Sequence, residues 1–211
     1  MKAVQKTIYT PDKEIAYTHI QKGSSKICFM FSGIGYTYEK PLLYFATMTM
    51  LEQGLDVVHI HYEYGQEFLK NPIADISAKM VSDIDLVMKD VSHNNLYDET
   101  ILLGKSLGTI PIVLEYARRE AFKDTKMVLL TPLLGYDVLY DSILKSNMLG
   151  LLIIGDEDQH YKQELMEQLQ KTKLEIEIIK GANHSLDDYQ LDTNQSLHNL
   201  SRVMKKIKEN I

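Results

Sequence analysis

Cysteine is nearly absent: Cys28 is the only one in 211 residues. An internal disulfide is therefore excluded, which fits a reducing compartment. Positive charge is also in deficit. Lys and Arg number 23 against 29 Asp and Glu, a formal net charge of −6. A nucleic-acid binder is expected to present a basic face, and this composition offers none. The nearest approach is Arg202, Lys205, Lys206 and Lys208, which read as cations at the solvated end of a last helix. No run of about 18 apolar residues exists, so no membrane span is expected. The opening MKAVQKTIYTP lacks the apolar core of a signal peptide. Repeats, low-complexity runs and Pro/Gly/Ser linkers are missing too. These absences together lead to the expectation of one cytoplasmic domain over residues 1–211.

What is present suits a packed core, since 45% of the residues are hydrophobic and 25% charged, near the averages of globular proteins. Residues 4–9 and 15–20 read as two strands joined around Pro11-Asp12. Residues 26–31 (KICFMF) read as a buried strand running into Ser32-Gly33-Ile34-Gly35. A helix is expected over 40–53 and a strand over 55–61. A long helix follows, with Asn71 suited to its N-cap and Pro72 to its first position. Ile73, Ile76, Met80, Ile84, Val87 and Val91 recur at steps of three and four, which makes one apolar face.

Residues 100–103 (TILL) read as a strand that enters Gly104-Lys105-Ser106-Leu107-Gly108, with a helix continuing to about Arg119. Pro111 falls in its first turn, where N–H groups lack partners anyway. Strands are expected over 126–131, 150–155 and 174–180, and a helix over 161–171. Residues 133–149 are less regular. The last helix begins near Asp192, which forms a capping-box pattern with Gln195. Leu197, Leu200, Val203, Met204 and Ile207 are expected on its inner face. From residue 26 onward strands alternate with helices. The fold class is therefore α/β, a mostly parallel sheet of about eight strands covered on both faces. In such sheets ligands bind beyond the carboxyl ends of the strands, where Ser32–Gly35, Ser106, Asp156–Asp158 and His184 all fall.

Gly104–Gly108 has the pattern G-x-S-x-G between a strand and a helix. A serine hydroxyl is a poor nucleophile and must stand exposed beside a base. A sharp strand-to-helix turn lifts it above the sheet, and the helix N-terminus places partial positive charge beside a developing oxyanion. Gly104-Lys105-Ser106 also looks like the end of a phosphate-binding loop. That loop needs a glycine five positions before the Gly-Lys pair, and Glu99 stands there.

The base expected is His184, in the loop Gly181-Ala182-Asn183-His184-Ser185 after the last strand. His19, His59, His61, His93 and His198 compete less well by position. His160 is the one rival. Asp158 is the expected acid, ahead of Asp156, because G-x-x-D spacing from Gly155 carries its carboxylate around toward the histidine. Two N–H donors must meet the oxyanion. Leu107 supplies one, and the turn after the 26–31 strand the other, with Ile34 preferred and Gly33 next.

FSGIG after a strand, LLGKSLG at the elbow, LLIIGDEDQH at the acid and GANHSL at the histidine resemble the α/β-hydrolase superfamily over almost the whole chain. Many relatives carry His-Gly where this chain has Ser32-Gly33, and many carry a bulky cap where this chain has only 133–149, enough for a short lid. The resemblance implies a serine esterase, thioesterase or related acyl hydrolase acting on a small-molecule ester or thioester, without a cofactor. A catalytically silent binding protein on the same fold, or an acyl transferase or lyase using the same triad, are the alternatives. Oligomeric state is not written in the sequence.

His59, His61 and Glu63 are spaced two apart and share a strand face. Without a Cys pair or a His-Glu-x-x-His motif they read as a polar strand end, and no metal is expected. Cys28, inside an apolar strand, reads as a core residue. Tyr36, Tyr38, Tyr62 and Tyr64 fall at two strand ends and are candidates to line the substrate site.

Overall fold

The computed structural model describes residues 1–11, 13–62, 64–93 and 95–211, the Gln66 side chain set aside. Strands β1 (Lys2–Tyr9) and β2 (Glu14–Gln21) pair antiparallel, from Lys2↔Gln21 to Tyr9↔Glu14. This is the expected hairpin, although Asp12 of its turn lies outside the described residues, as does Glu63 of the His59/His61 face. The remaining strands are β3 (Lys26–Phe31), β4 (Asp56–His61), β5 (Glu99–Lys105), β6 (Lys126–Leu130), β7 (Leu149–Gly155) and β8 (Leu174–Ile179). Together they form one eight-stranded sheet in the order β1-β2-β4-β3-β5-β6-β7-β8. From β4 to β8 every pair is parallel, while β2 meets β4 antiparallel.

The central strands are apolar along their whole length because both faces are covered. Helices α1 (Pro41–Glu52) and α6 (Thr193–Asn210) lie on one face, where Met30, Leu43, Met50, Val203 and Ile207 meet. On the other, α2 (Ile73–His93), α3 (Thr109–Leu114), α4 (Asp137–Leu144) and α5 (Gln163–Leu169) cover Phe29, Phe31, Leu102 and Leu129. Cys28 is fully buried in the first layer. The face expected for α2 is buried from Ile76 to Val91.

Several local expectations are corrected. Pro72 rather than Asn71 supplies the first carbonyl of α2, accepting from Ile76 N–H at 3.0 Å, while the Asn71 amide donates to the Phe68 carbonyl. Asn71 is extended, as a residue before proline prefers. The helix expected to reach Arg119 stops at Leu114 and resumes as a 3-10 turn over Tyr116–Arg118. Tertiary anchors override continuation there. Tyr116 buries its ring 6.1 Å from Phe31 and donates to Asp85, and Arg119 grips the same carboxylate with two N–H groups at 2.8 and 2.9 Å. At α6, Asp192 caps Gln195 N–H at 2.9 Å, but the Gln195 side chain turns to Asn199, so only half the capping box forms. Leu197 is exposed, and Asn199 takes an inner position instead.

The parallel register fixes where the loops emerge. Phe31 pairs with Gly104, Lys105 with Leu130, and Gly155 with Ile179. The chain therefore leaves β3, β5, β7 and β8 at one edge, and segments 32–35, 106–108, 156–158 and 180–184 gather there.

Candidate functional site

Ser106 follows the last residue of β5 and begins a 3-10 turn over Ser106–Gly108 that leads into α3. Its φ is +52°, a left-handed conformation rare for residues with a β-carbon. The strain belongs to the sharp turn that lifts the side chain off the sheet. The turn closes only because Gly108 has no side chain: a β-carbon there would stand 2.1 Å from the Phe31 carbonyl oxygen. Thr109 locks the turn by donating its hydroxyl to the Ser106 carbonyl at 2.6 Å.

His184 reaches Ser106 from the loop after β8. Its Nε2 lies 2.9 Å from Ser106 Oγ, and its Nδ1 lies 2.7 Å from Asp158 Oδ2. With a proton on Nδ1 the imidazole donates to Asp158, leaving Nε2 to accept from the serine hydroxyl; this tautomer is assigned from the partners. The loop is built to hold that pose. Asn183 N–H donates to the Asp187 carbonyl, and Ser185 N–H to the Asn183 side chain at 2.7 Å.

The two acid candidates separate cleanly. Asp158 is 4% exposed and faces His184. Its second oxygen accepts the His160 N–H at 2.9 Å. Burial pushes this carboxyl upward, but the hydrogen bonds from His184 and from the His160 backbone, with the charge of those rings, hold it below the usual carboxylate range. Asp156 instead accepts the Gly181 N–H at 2.5 Å and ties down the start of the histidine loop. Gly155 lets these two loops meet, since a β-carbon there would lie 1.9 Å from the Ala182 carbonyl oxygen.

Gly33 packs against Ser106: a β-carbon built on it would stand 3.2 Å from Ser106 Cβ. Ile34 is the next residue, inside a turn closed by Tyr36 N–H on the Gly33 carbonyl. Leu107 follows Ser106 directly. Tyr62 steadies the segment by donating to the Ser32 carbonyl at 3.0 Å. Thus Ser106, His184 and Asp158 come together as a hydrogen-bonded chain, with Leu107, Gly33 and Ile34 in the two turns beside it. Tyr38 does not line a substrate site. It is buried, donates to the Met30 carbonyl at 2.6 Å and stacks on His59 at 4.0 Å. Tyr64 donates to Asp83 of α2.

Sequence reasoning overlooked Lys105. It was only the variable residue of the motif, yet its side chain is 2% exposed. The ammonium donates to the His184 carbonyl at 3.2 Å and to Thr131 at 3.4 Å, and lies 4.5 Å above the Tyr36 ring. Burial lowers its pKa to about 8, while Asp158 and Asp187 pull the other way. The available signal was a lysine extending a strand whose every other late position is apolar. A cavity of about 590 Å³ opens elsewhere, lined by Val113, Arg118, Lys123, Met127 and Lys145 among others; no residue of the hydrogen-bonded chain borders it.

No protein-family model matches the chain, and no curated protein matches it. Solved structures do. Est1E from Butyrivibrio proteoclasticus superposes with a TM-score of 0.71 at 17% identity, over 97% of this chain and 96% of that one. The Pyrococcus furiosus esterase Pf2001 gives 0.70 at 16% identity, over 99% and 93%. A dienelactone hydrolase from Anabaena variabilis gives 0.68 at 16% identity, over 100% and 98%. Near-complete coverage in both directions at such low identity is a statement about architecture: the chain has the α/β-hydrolase fold.

Proposed function

We propose that the protein is a serine hydrolase that cleaves a small carboxylic ester or thioester through an acyl-enzyme. The observation that carries this reading is the unbroken chain Ser106 Oγ, His184 Nε2, His184 Nδ1, Asp158 Oδ2, at 2.9 and 2.7 Å. Ser106 attacks the carbonyl carbon while His184 takes its proton. Asp158 keeps the imidazole in the productive tautomer and stabilises its charged form without itself becoming protonated. The backbone N–H of Leu107, with that of Ile34 or Gly33, meets the oxyanion; one such donor is worth on the order of 10²–10³ in rate. The tetrahedral species collapses as His184 returns the proton to the leaving group. Water, deprotonated by His184, then releases the acid. One domain, residues 1–211, carries the site, and 133–149 borders it as a short lid through Tyr136, whose ring lies 6.3 Å from that of His160.

The esterase Pf2001 and the dienelactone hydrolase among the similar structures support ester chemistry as the first class to test. The decisive measurement is labelling with a fluorophosphonate, followed by mass-spectrometric mapping of the adduct. Labelling is expected on Ser106 and is expected to vanish in Ser106→Ala. An adduct persisting in that variant would remove Ser106 as the nucleophile. Turnover of p-nitrophenyl acetate and of a short acyl-thioester panel then separates the two substrate classes.

A further inference from the structure

His160 has no part in the hydrolytic scheme, yet it stands beside it. Its ring centroid lies 5.5 Å from that of His184, inclined by 60°. One donor atom from each of Asp158, His160 and His184 lies within 4.8 Å of the other two. We propose that these three side chains bind a divalent transition-metal ion, zinc foremost, and that its occupancy reversibly silences the hydrolase. The binding half stands by itself; the silencing half rests on the serine-hydrolase reading.

The donor set is two imidazoles and one carboxylate, which suits zinc, cobalt or copper better than magnesium or calcium. Zinc takes imidazole nitrogen and carboxylate oxygen at about 2.0–2.2 Å and fills its remaining position with water. Donors on a tetrahedral ion at those lengths stand about 3.3 Å apart. The Asp158–His184 contact of 2.7 Å must open slightly, and His160 must swing inward. Both movements are local. His160 is part-exposed, and Gly135 leaves its ring room: a β-carbon there would press within 2.9 Å of His160 Nδ1. Asp158 is already fixed by the His160 backbone N–H at 2.9 Å, so one ligand is preorganised. The His184 side chain is 30% exposed, which gives an ion entry from solvent without opening the core. The nearby Lys105 ammonium opposes a second cation and keeps the site weak enough to release its ion.

The consequence for the base follows from proton placement. A metal on His184 Nδ1 takes the place of the proton that Asp158 accepts. A neutral imidazole then carries its one proton on Nε2, facing Ser106. Nε2 can no longer accept the serine proton, and no net proton needs to leave. Removing the ion restores the former tautomer.

The test separates binding from turnover. Ser106→Ala protein is titrated with Co²⁺ alone, read by its visible d–d absorption, and with Zn²⁺ by calorimetry. One ion per chain is expected. His160→Asn introduced into that background should weaken binding at least about tenfold. His160→Ala serves as a second variant, and an unchanged melting temperature in either shows that the fold is kept. In the wild type, Zn²⁺ should slow fluorophosphonate labelling of Ser106, a chelator should reverse this, and His160→Asn should be resistant. Absence of a cobalt spectrum and of stoichiometric heat would overturn the site, as would equal affinity in the His160 variants. Stoichiometric binding with an unchanged labelling rate would overturn the silencing. Wild-type protein that is never labelled, with or without zinc, would overturn the hydrolase reading, and the cobalt spectrum would still decide the metal site.

Discussion

Two carboxylates two positions apart do different work because their partners differ. Asp158 accepts from the imidazole, whereas Asp156 accepts from the backbone of Gly181. Asp158→Asn would present an amide where His184 needs an acceptor and would favour the wrong tautomer. Its kcat is expected to fall on the order of 10⁴-fold. Asp156→Asn keeps an oxygen for the Gly181 N–H, so its kcat should fall by no more than about tenfold. Steady-state kinetics on the best ester found will check the ranking; a reversed order would exchange the two assignments. Lys105 gives a second prediction of this size. It is covalently next to Ser106 and hydrogen-bonded to the carbonyl of His184, so it straps the Ser106 turn to the His184 loop. Lys105→Met keeps the apolar stem and removes a charge whose burial is itself unfavourable, which offsets the loss of its hydrogen bonds to Thr131 and His184. Small displacements between reacting groups, however, cost up to about 10² in rate. Lys105→Met should therefore lose roughly 10- to 100-fold in kcat with little change in KM or melting temperature. A fall in melting temperature without a fall in kcat would make the strap structural only.

At the scale of elements, the site is a product of close approaches between loops that no single element specifies. Gly155→Ala would drive a methyl into the Ala182 carbonyl, separating the Asp158 turn from the His184 loop. Overpacking of this kind costs about 1–3 kcal/mol, and activity should disappear in protein that still gives a native circular-dichroism spectrum. At α6, Asp192→Ala removes a cap hydrogen bond of 2.9 Å and should cost about 1 kcal/mol in urea unfolding, with kcat unchanged. Much of this level was legible in the sequence. Alternating apolar segments gave every strand and most helices, and the Gly-x-Ser-x-Gly turn, the Gly-x-x-Asp spacing and the loop histidine pointed to the three residues that the structure joins. What escaped depended on tertiary partners. The helix after Ser106 breaks at Glu115 because Asp85, thirty residues earlier in the chain, draws in both Tyr116 and Arg119. Leu197 faces solvent because the helix rotates to bury Asn199. The Lys105 contacts escaped because a five-residue motif does not say where its variable side chain points.

Across the whole molecule, the same burial that builds two apolar layers also traps histidines in neutral form, and this sets the response to acid. His59 lies in β4 beneath α1, 8% exposed. Its Nε2 pairs with Thr47 Oγ1 at 2.8 Å, and since that hydroxyl donates to the Leu43 carbonyl, the imidazole is the donor. Tyr38 stacks flat against the ring, and among the described residues the charges of His61 and Glu39 bear on it. Burial lowers its pKa to about 4, with His61 adding to the shift and Glu39 opposing it. Above pH of about 6.5 the ring is neutral whether the chain is folded or unfolded, and contributes no pH dependence. Between about 6.5 and 4 the unfolded chain takes a proton that the native one refuses, so stability falls as the pH falls. Each unit costs up to about 1.4 kcal/mol, giving about 2 kcal/mol by pH 5 and roughly 3 by pH 4. Carboxylates held low, such as Asp90 and Glu175, act in the same direction but in a more acidic range. His59→Gln keeps a side-chain N–H for Thr47 and cannot titrate. Urea unfolding at pH 7.5 and pH 5 should show the wild type losing about 2 kcal/mol more than this variant between the two conditions. Equal losses would mean that the ring is solvated in the native state, and that the layer between α1 and the sheet is open to water.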